Sequence, residues 1–217
     1  INIDNIHDDN IKRSLEATSK YIPNCIISNM ELQNYVSDFF DTVNYISPMI
    51  DIDKYINLPF YNYNREHNKK FTIACTPSAT KSKGIRYILK AIEELKLNYE
   101  IVLLQMQELS YENRLIVYER ADLIIDEITT GNYSQHAIEA MALEKPVICW
   151  INDFMKDIYP SELPIINSRP ENIKEVIAEI LCNKDMLKSI GKKGRDYITK
   201  YHNSNIEIKK LIELYKK

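Results

Sequence analysis

Apolar and polar positions alternate in blocks along most of the chain. Apolar runs at Phe71–Cys75, Ile101–Gln105, Leu123–Asp126, Val147–Trp150 and Pro164–Ile166 have strand lengths, and the stretches between them carry helical spacing. Ile85, Ile88, Leu89, Ile92 and Leu95 recur at steps of three and four, which puts them on one face of a helix. Ser110 is placed to cap a helix bearing Leu115, Val117 and Tyr118. Pro170 suits the first turn of a helix carrying Ile173, Val176, Ile177 and Ile180. About the last 20 residues predict one more helix, broken near Tyr201-His202-Asn203. Strands alternating with helices predict an α/β fold, a Rossmann-like parallel sheet with helices on both faces.

The pattern is less regular before Phe71. A polar, helical start leads to a strand-like run, Asn24–Ser28, a helix at about Met30–Phe40, a second run, Val43–Ile46, and a break at Pro48. Residues 61–70 contain no aliphatic side chain and read as a linker or exposed loop. The expected organisation is therefore an N-terminal part over 1–60, a linker over 61–70 and the Rossmann-like domain over 71–217.

Composition narrows the classes. The chain has 217 residues, 45% of them hydrophobic and 27% charged, as in a globular protein with a substantial core. A net charge of −3 gives no electrostatic reason for a nucleic acid or an anionic membrane as partner. No apolar run approaches the ~20 residues that span a bilayer, and no signal peptide is visible. The four cysteines, Cys25, Cys75, Cys149 and Cys182, are widely spaced, which fits buried thiols in a reducing compartment. A cytoplasmic location is expected. There are only four glycines, Gly84, Gly131, Gly191 and Gly194, so each should answer a local need for positive φ or close backbone approach.

The candidate chemistry lies in the loops that leave the strands, where ligands bind in such sheets. Between Thr129 and Trp150 a small polar turn, Gly131-Asn132-Tyr133-Ser134, opens a helix that contains Glu139, and Lys145-Pro146 then starts the next strand. A turn opening a helix presents backbone N–H groups and the positive end of the helix dipole, which suits a phosphate. Glu139 is an acceptor-only carboxylate, able to take hydroxyl protons from a sugar ring; the plain alternative is a solvated glutamate on a packed helix. The loop after Phe71–Cys75 reads Thr76-Pro77-Ser78-Ala79-Thr80-Lys81-Ser82-Lys83-Gly84. Its plain alternative is a solvated Lys/Ser loop.

The stretch from Thr129 resembles the donor-site signature of retaining GT-B glycosyltransferases of the family 4 type, also called glycosyl transferases group 1. That signature is a glutamate, Gly-Phe-Gly, four residues, then Glu-Ala-Met-Ala-x-Gly-x-Pro-Val-Ile; Glu139-Ala140-Met141-Ala142 and Lys145-Pro146-Val147-Ile148 match it in register. The resemblance covers Phe71 to the C-terminus well and Cys25 to Tyr55 weakly. It implies one half of a GT-B fold that binds a nucleotide sugar, without a metal or other cofactor. It further implies that Lys83-Gly84 end the loop that neutralises the donor's diphosphate, with Lys81 in support and Ser78, Thr80 and Ser82 as hydroxyl donors. The turn Gly131, Asn132, Tyr133 and Ser134 would cradle the phosphates, and Glu139 would hold the ribose hydroxyls. Gly131 stands where the family has its first glutamate, Ser134 replaces the second glycine, and Glu144 replaces the glycine before Lys-Pro-Val-Ile.

Complete enzymes of that family have two Rossmann-like domains, and this chain is too short for both. The acceptor-binding half is thus expected outside it, along with any peripheral attachment to the inner membrane. The acceptor would be a carbohydrate or a lipid-linked one, in bacterial polysaccharide or glycoconjugate synthesis. The alternative is a non-catalytic Rossmann-like module that binds a nucleotide or a partner chain. A receiver-like signalling domain is disfavoured because Cys75-Thr76-Pro77-Ser78 offers no acidic cluster. Asp51-Ile52-Asp53 has the form of a metal-binding Asp-x-Asp motif but lacks its strand context, and no Gly-x-Gly-x-x-Gly follows Phe71–Cys75. His136, one turn before Glu139, is a weaker candidate for a donor contact, and the remaining histidines have no metal spacing.

Overall fold

The computed structural model describes residues 9–58, 70–75 and 84–216. The boundary expected near residue 60 and the linker expected over 61–70 fall, Lys70 apart, outside the described residues. Contacts divide the chain into two units, Ile1–Met49 with Asn205–Lys217, and Ile50–Ser204.

In the first unit, α1 (Asp9–Ser19) precedes β1 (Asn24–Ile27), which pairs in parallel with β2 (Thr42–Tyr45) in the register Asn24 to Thr42. The helix expected over Met30–Phe40 is shorter. A 3-10 turn, Met30–Leu32, capped by the Asn29 side chain, runs into α2 (Gln33–Val36) and stops there. The Asp41 N–H already donates to the Pro23 carbonyl at 2.9 Å, so the chain must be extended again by that point. The C-terminal helix, Ser204–Tyr215, contributes Glu207 to this unit. Its buried carboxylate accepts from the Ser47 N–H at 3.3 Å and from Lys210 Nζ at 2.5 Å.

The second unit runs through α3 (Ile52–Ile56), β3 (Phe71–Cys75), α4 (Ile85–Leu95), β4 (Ile101–Gln105), α5 (Tyr111–Arg120) and β5 (Leu123–Ile125). It continues through α6 (Gln135–Ala142), β6 (Val147–Cys149), α7 (Asp153–Ile158), β7 (Ile166–Asn167), α8 (Ile173–Cys182) and α9 (Met186–Tyr201). Five parallel strands pair in the order β4-β3-β5-β6-β7. The strand expected from Pro164 begins two residues later, since proline has no N–H for the ladder. Pro170 likewise falls before α8, in the turn that leads to its cap position at Asn172. The break near Tyr201-His202-Asn203 lies between α9 and the C-terminal helix, which we label α10.

The core follows from the two-residue period of the strands. Phe71, Ile73 and Cys75 of β3 join Ile88, Ile92 and Leu95 of α4 and Ile173, Ile177 and Ile180 of α8 in one buried cluster. Helix α5 packs on β3, α6 on β6, and α9 on α6. Leu123, Ile124 and Ile125 are fully buried, each contributing about 1.5–3 kcal/mol of transfer free energy. Helices α6 and α9 approach so closely that a Cβ on Gly191 would stand 2.0 Å from the Glu144 carbonyl oxygen. Glu144 itself has φ 55°, a left-handed conformation that costs a non-glycine residue about 1–2 kcal/mol. That conformation gives a physical reason for the glycine usual at this position of the signature.

Candidate functional site

The strand order places a topological switch point between β3 and β5. From β3 the chain crosses to β4 on one side, then returns past β3 to β5 on the other. Loops that leave two such strands diverge at their carboxyl ends and open a crevice, the usual ligand position in a doubly wound sheet. The loop after β3 ends at Gly84, and the loop after β5 runs from Asp126 to Ser134. These are the two loops singled out from sequence.

Gly84 caps α4 at φ 72° and joins the two loops. A Cβ there would lie 2.8 Å from Ile128 Cγ1 and 2.9 Å from Thr129 Cγ2. Gly131 has φ 82°, and a Cβ would meet Asn152 Nδ2 at 2.6 Å, while the Gly131 carbonyl accepts from the Asn152 N–H at 2.9 Å. Both positions require a residue without Cβ. Ser78, Thr80, Lys81 and Lys83 lie outside the described residues.

Asp126 anchors the turn. Buried at the end of β5, it accepts from the Ser134 N–H at 2.8 Å and from Ser134 Oγ at 2.7 Å. Ser134 in turn caps α6, its Oγ accepting from the His136 N–H at 3.2 Å and its carbonyl from the Ala137 N–H at 3.1 Å. The Ser134 N–H expected to face a phosphate is therefore committed to Asp126. Asn132 and Tyr133 aim their side chains at other elements of the same unit. Asn132 Oδ1 accepts from the Tyr159 hydroxyl, and the Tyr133 hydroxyl lies 2.9 Å from His202 Nε2 with its ring 4.8 Å from that of Tyr159. These two residues can offer a ligand their backbone more readily than their side chains.

Glu139 is neither exposed nor solvated. Every residue of α6 from Ala137 to Ala142 is buried, and Glu139 retains 5% of its accessible surface. Its Oε2 accepts from the Tyr118 hydroxyl at 3.1 Å and lies 4.0 Å from His136 Nδ1; Oε1 lies 3.6 Å from Arg114 Nη2. Burial and the neighbouring Glu139 charge push the Tyr118 phenol well above its usual range, so the hydroxyl stays a proton donor. Arg114 also donates from Nη1 to the Leu109 carbonyl at 3.2 Å and lies over the Tyr111 ring, with Cζ 5.7 Å from its centre. The Tyr55 and Tyr111 rings meet nearly at right angles, their centres 6.4 Å apart. Sequence reasoning placed Tyr118 only on an apolar helix face and passed over Arg114 and Asp126. A polar residue ending the apolar run Leu123-Ile124-Ile125 was the one available signal for Asp126.

Asp51 and Asp53 flank the start of α3, where Asp51 pairs with Lys54 at 3.5 Å. Among the described residues no helix is long and apolar enough to cross a membrane.

No protein-family model and no curated protein matches the chain. Solved structures do match. The sucrose-phosphate synthase of Thermosynechococcus elongatus is 14% identical with a TM-score of 0.69, over 100% of this chain and 63% of that one. A glycosyltransferase from Rickettsia africae is 15% identical at a TM-score of 0.70, over 96% of this chain and 66% of that one. The Anabaena protein HepE, solved in complex with UDP-glucose, is 12% identical at a TM-score of 0.74, over 97% and 68%. The chain thus spans less than two thirds of the first two. At these identities the likeness establishes the fold alone, an α/β fold with a five-stranded parallel sheet that matches the Rossmann-like half of a GT-B glycosyltransferase.

Proposed function

We propose that this chain supplies the nucleotide-sugar donor site of a retaining, metal-independent glycosyltransferase. The observation that carries the reading is the convergence of Gly84 and the Asp126–Ser134 loop at the β3/β5 switch point, with Glu139 on the helix that follows. The neighbours solved with UDP or UDP-glucose support a nucleotide sugar as ligand. In this reading Lys83 and the backbone of the Gly131–Tyr133 turn hold the diphosphate, Lys81, Ser78 and Thr80 assist, and Glu139 takes the ribose hydroxyls. The leaving diphosphate gains negative charge as the sugar bond breaks, so donors fixed in advance around it lower the barrier. The acceptor would be a carbohydrate or a lipid-linked one, bound by residues outside this chain.

Calorimetric titration with UDP, ADP and GDP tests the proposal. At least one should bind, and Lys83→Ala should weaken that binding by about 1.5–3 kcal/mol, the range of a hydrogen bond to a charged group. Equal affinities for the two proteins would remove Lys83 from the site. No binding of any of the three would overturn the donor-site reading.

A further inference from the structure

Helices α5 and α6 together build a polar couple that the sequence did not reveal. Arg114 and Tyr118 stand four residues apart on α5, hence on one face, and both meet Glu139 of α6. The two contacts differ in kind. The Tyr118 hydroxyl donates to Oε2 at 3.1 Å and also lies 3.1 Å from His136 Nδ1. The hydrogen bond from Tyr118 fixes one carboxylate oxygen. The other, Oε1, has Arg114 Nη2 at 3.6 Å, beyond hydrogen-bond reach. The guanidinium is held by the Leu109 carbonyl and the Tyr111 ring, yet its buried Nε finds no hydrogen-bond partner among the described residues. Oε1 and the guanidinium thus face each other as an ion pair without a direct hydrogen bond between them.

We propose that Arg114 and Glu139 form a couple that reads a ribose diol, with Tyr118 as the residue that positions the carboxylate. The inference rests on the reading above, in which Glu139 takes ribose hydroxyls. The chemistry of the couple selects the group. A phosphate has no proton for Oε1 and would be repelled by the carboxylate, whereas an ammonium would be repelled by Arg114. A hydroxyl can do both, donating to Oε1 while its oxygen accepts from the guanidinium. Two adjacent hydroxyls can share that work, one toward each partner. Tyr118 sets which oxygen is offered: with Oε2 engaged from behind, Oε1 is presented in one orientation.

The test is titration of wild type, Tyr118→Phe, Arg114→Lys and Arg114→Met with UDP, 2′-deoxy-UDP and 3′-deoxy-UDP, with thermal melts to confirm folding. Wild type should prefer UDP over at least one deoxy analogue by about tenfold, the lower end for a charge-assisted hydrogen bond. Tyr118→Phe should bind that analogue much as wild type does, while the preference falls to about threefold or less as Oε1 loses its fixed orientation. Arg114→Lys should retain more of the preference than Arg114→Met, because a donor remains near Oε1. A purely structural Tyr118 would weaken UDP and its analogues alike and leave the ratio unchanged, which overturns the proposal. If Tyr118→Phe does not fold, an identical ratio in both Arg114 variants and wild type overturns it instead. Wild type that binds UDP without discriminating either deoxy analogue sinks this inference and leaves the donor-site reading standing. Failure to bind UDP, ADP or GDP sinks both.

Discussion

Replacing Gly191 by alanine tests whether close packing of α6 on α9 sets the platform that carries Glu139. In an ordinary helix the change would be favourable by about 0.5–1 kcal/mol, because glycine loses more backbone freedom on folding. Here the new methyl would stand 2.0 Å from the Glu144 carbonyl oxygen and 2.8 Å from its carbon, both backbone atoms of the turn that ends α6. Relieving that clash requires the two helices to part by roughly 1 Å, and overpacking of this kind costs about 1–3 kcal/mol or more. The clash should outweigh the helix gain, for a net loss of about 2 kcal/mol and a Tm lower by about 4–8 °C in a protein of this size. Gly194→Ala is the matched control. Its Cβ would lie 3.2 Å from Met141 Cγ, a flexible side chain that can yield, so stability should stay within about 0.5 kcal/mol of wild type. Thermal and urea unfolding followed by circular dichroism measure both. A Gly191→Ala protein as stable as Gly194→Ala would refute the packing argument.

Asp126→Asn keeps the shape of the turn's anchor but turns an amide N–H₂ toward a donor of Ser134; we expect a loss of about 1–3 kcal/mol in the same unfolding assay, and unchanged stability would show that the anchor is dispensable. Hydrogen bonds from Lys200 and Tyr201 hold the Glu162 carboxyl well below its usual 4.5, at about 2. A carboxyl depressed in the folded state stabilises above the unfolded pKa and loses that contribution as the pH falls through the folded one. Wild type should therefore lose stability between about pH 4.5 and 2 more steeply than Glu162→Gln, and parallel pH profiles would remove Glu162 from the account.

Much of the local structure is set by neighbours a few residues apart, and that part was legible in the chain. The apolar runs at Phe71–Cys75 and Ile101–Gln105 are strands at those bounds, Ile88, Ile92 and Leu95 are buried as the spacing of the Ile85–Leu95 face predicts while Leu89 is exposed, and Ser110 caps α5. Gly84 and Gly131 adopt the positive φ that a sparing use of glycine suggests. The Glu139-Ala140-Met141-Ala142 block pointed to the fold that the structural neighbours share. What the tertiary structure alone decided involves partners far apart in the chain. The strand order, with its switch point between β3 and β5, depends on which strands pair, and each run is equally apolar whichever neighbour it takes. The commitment of Ser134 to Asp126, the turn of Tyr133 toward His202, and the enclosure of Glu139 by Arg114 and Tyr118 arise between elements that only folding brings together. Sequence could assign Glu139 an acceptor's chemistry. Only the tertiary structure determined which of its oxygens accepts from Tyr118 and which faces Arg114.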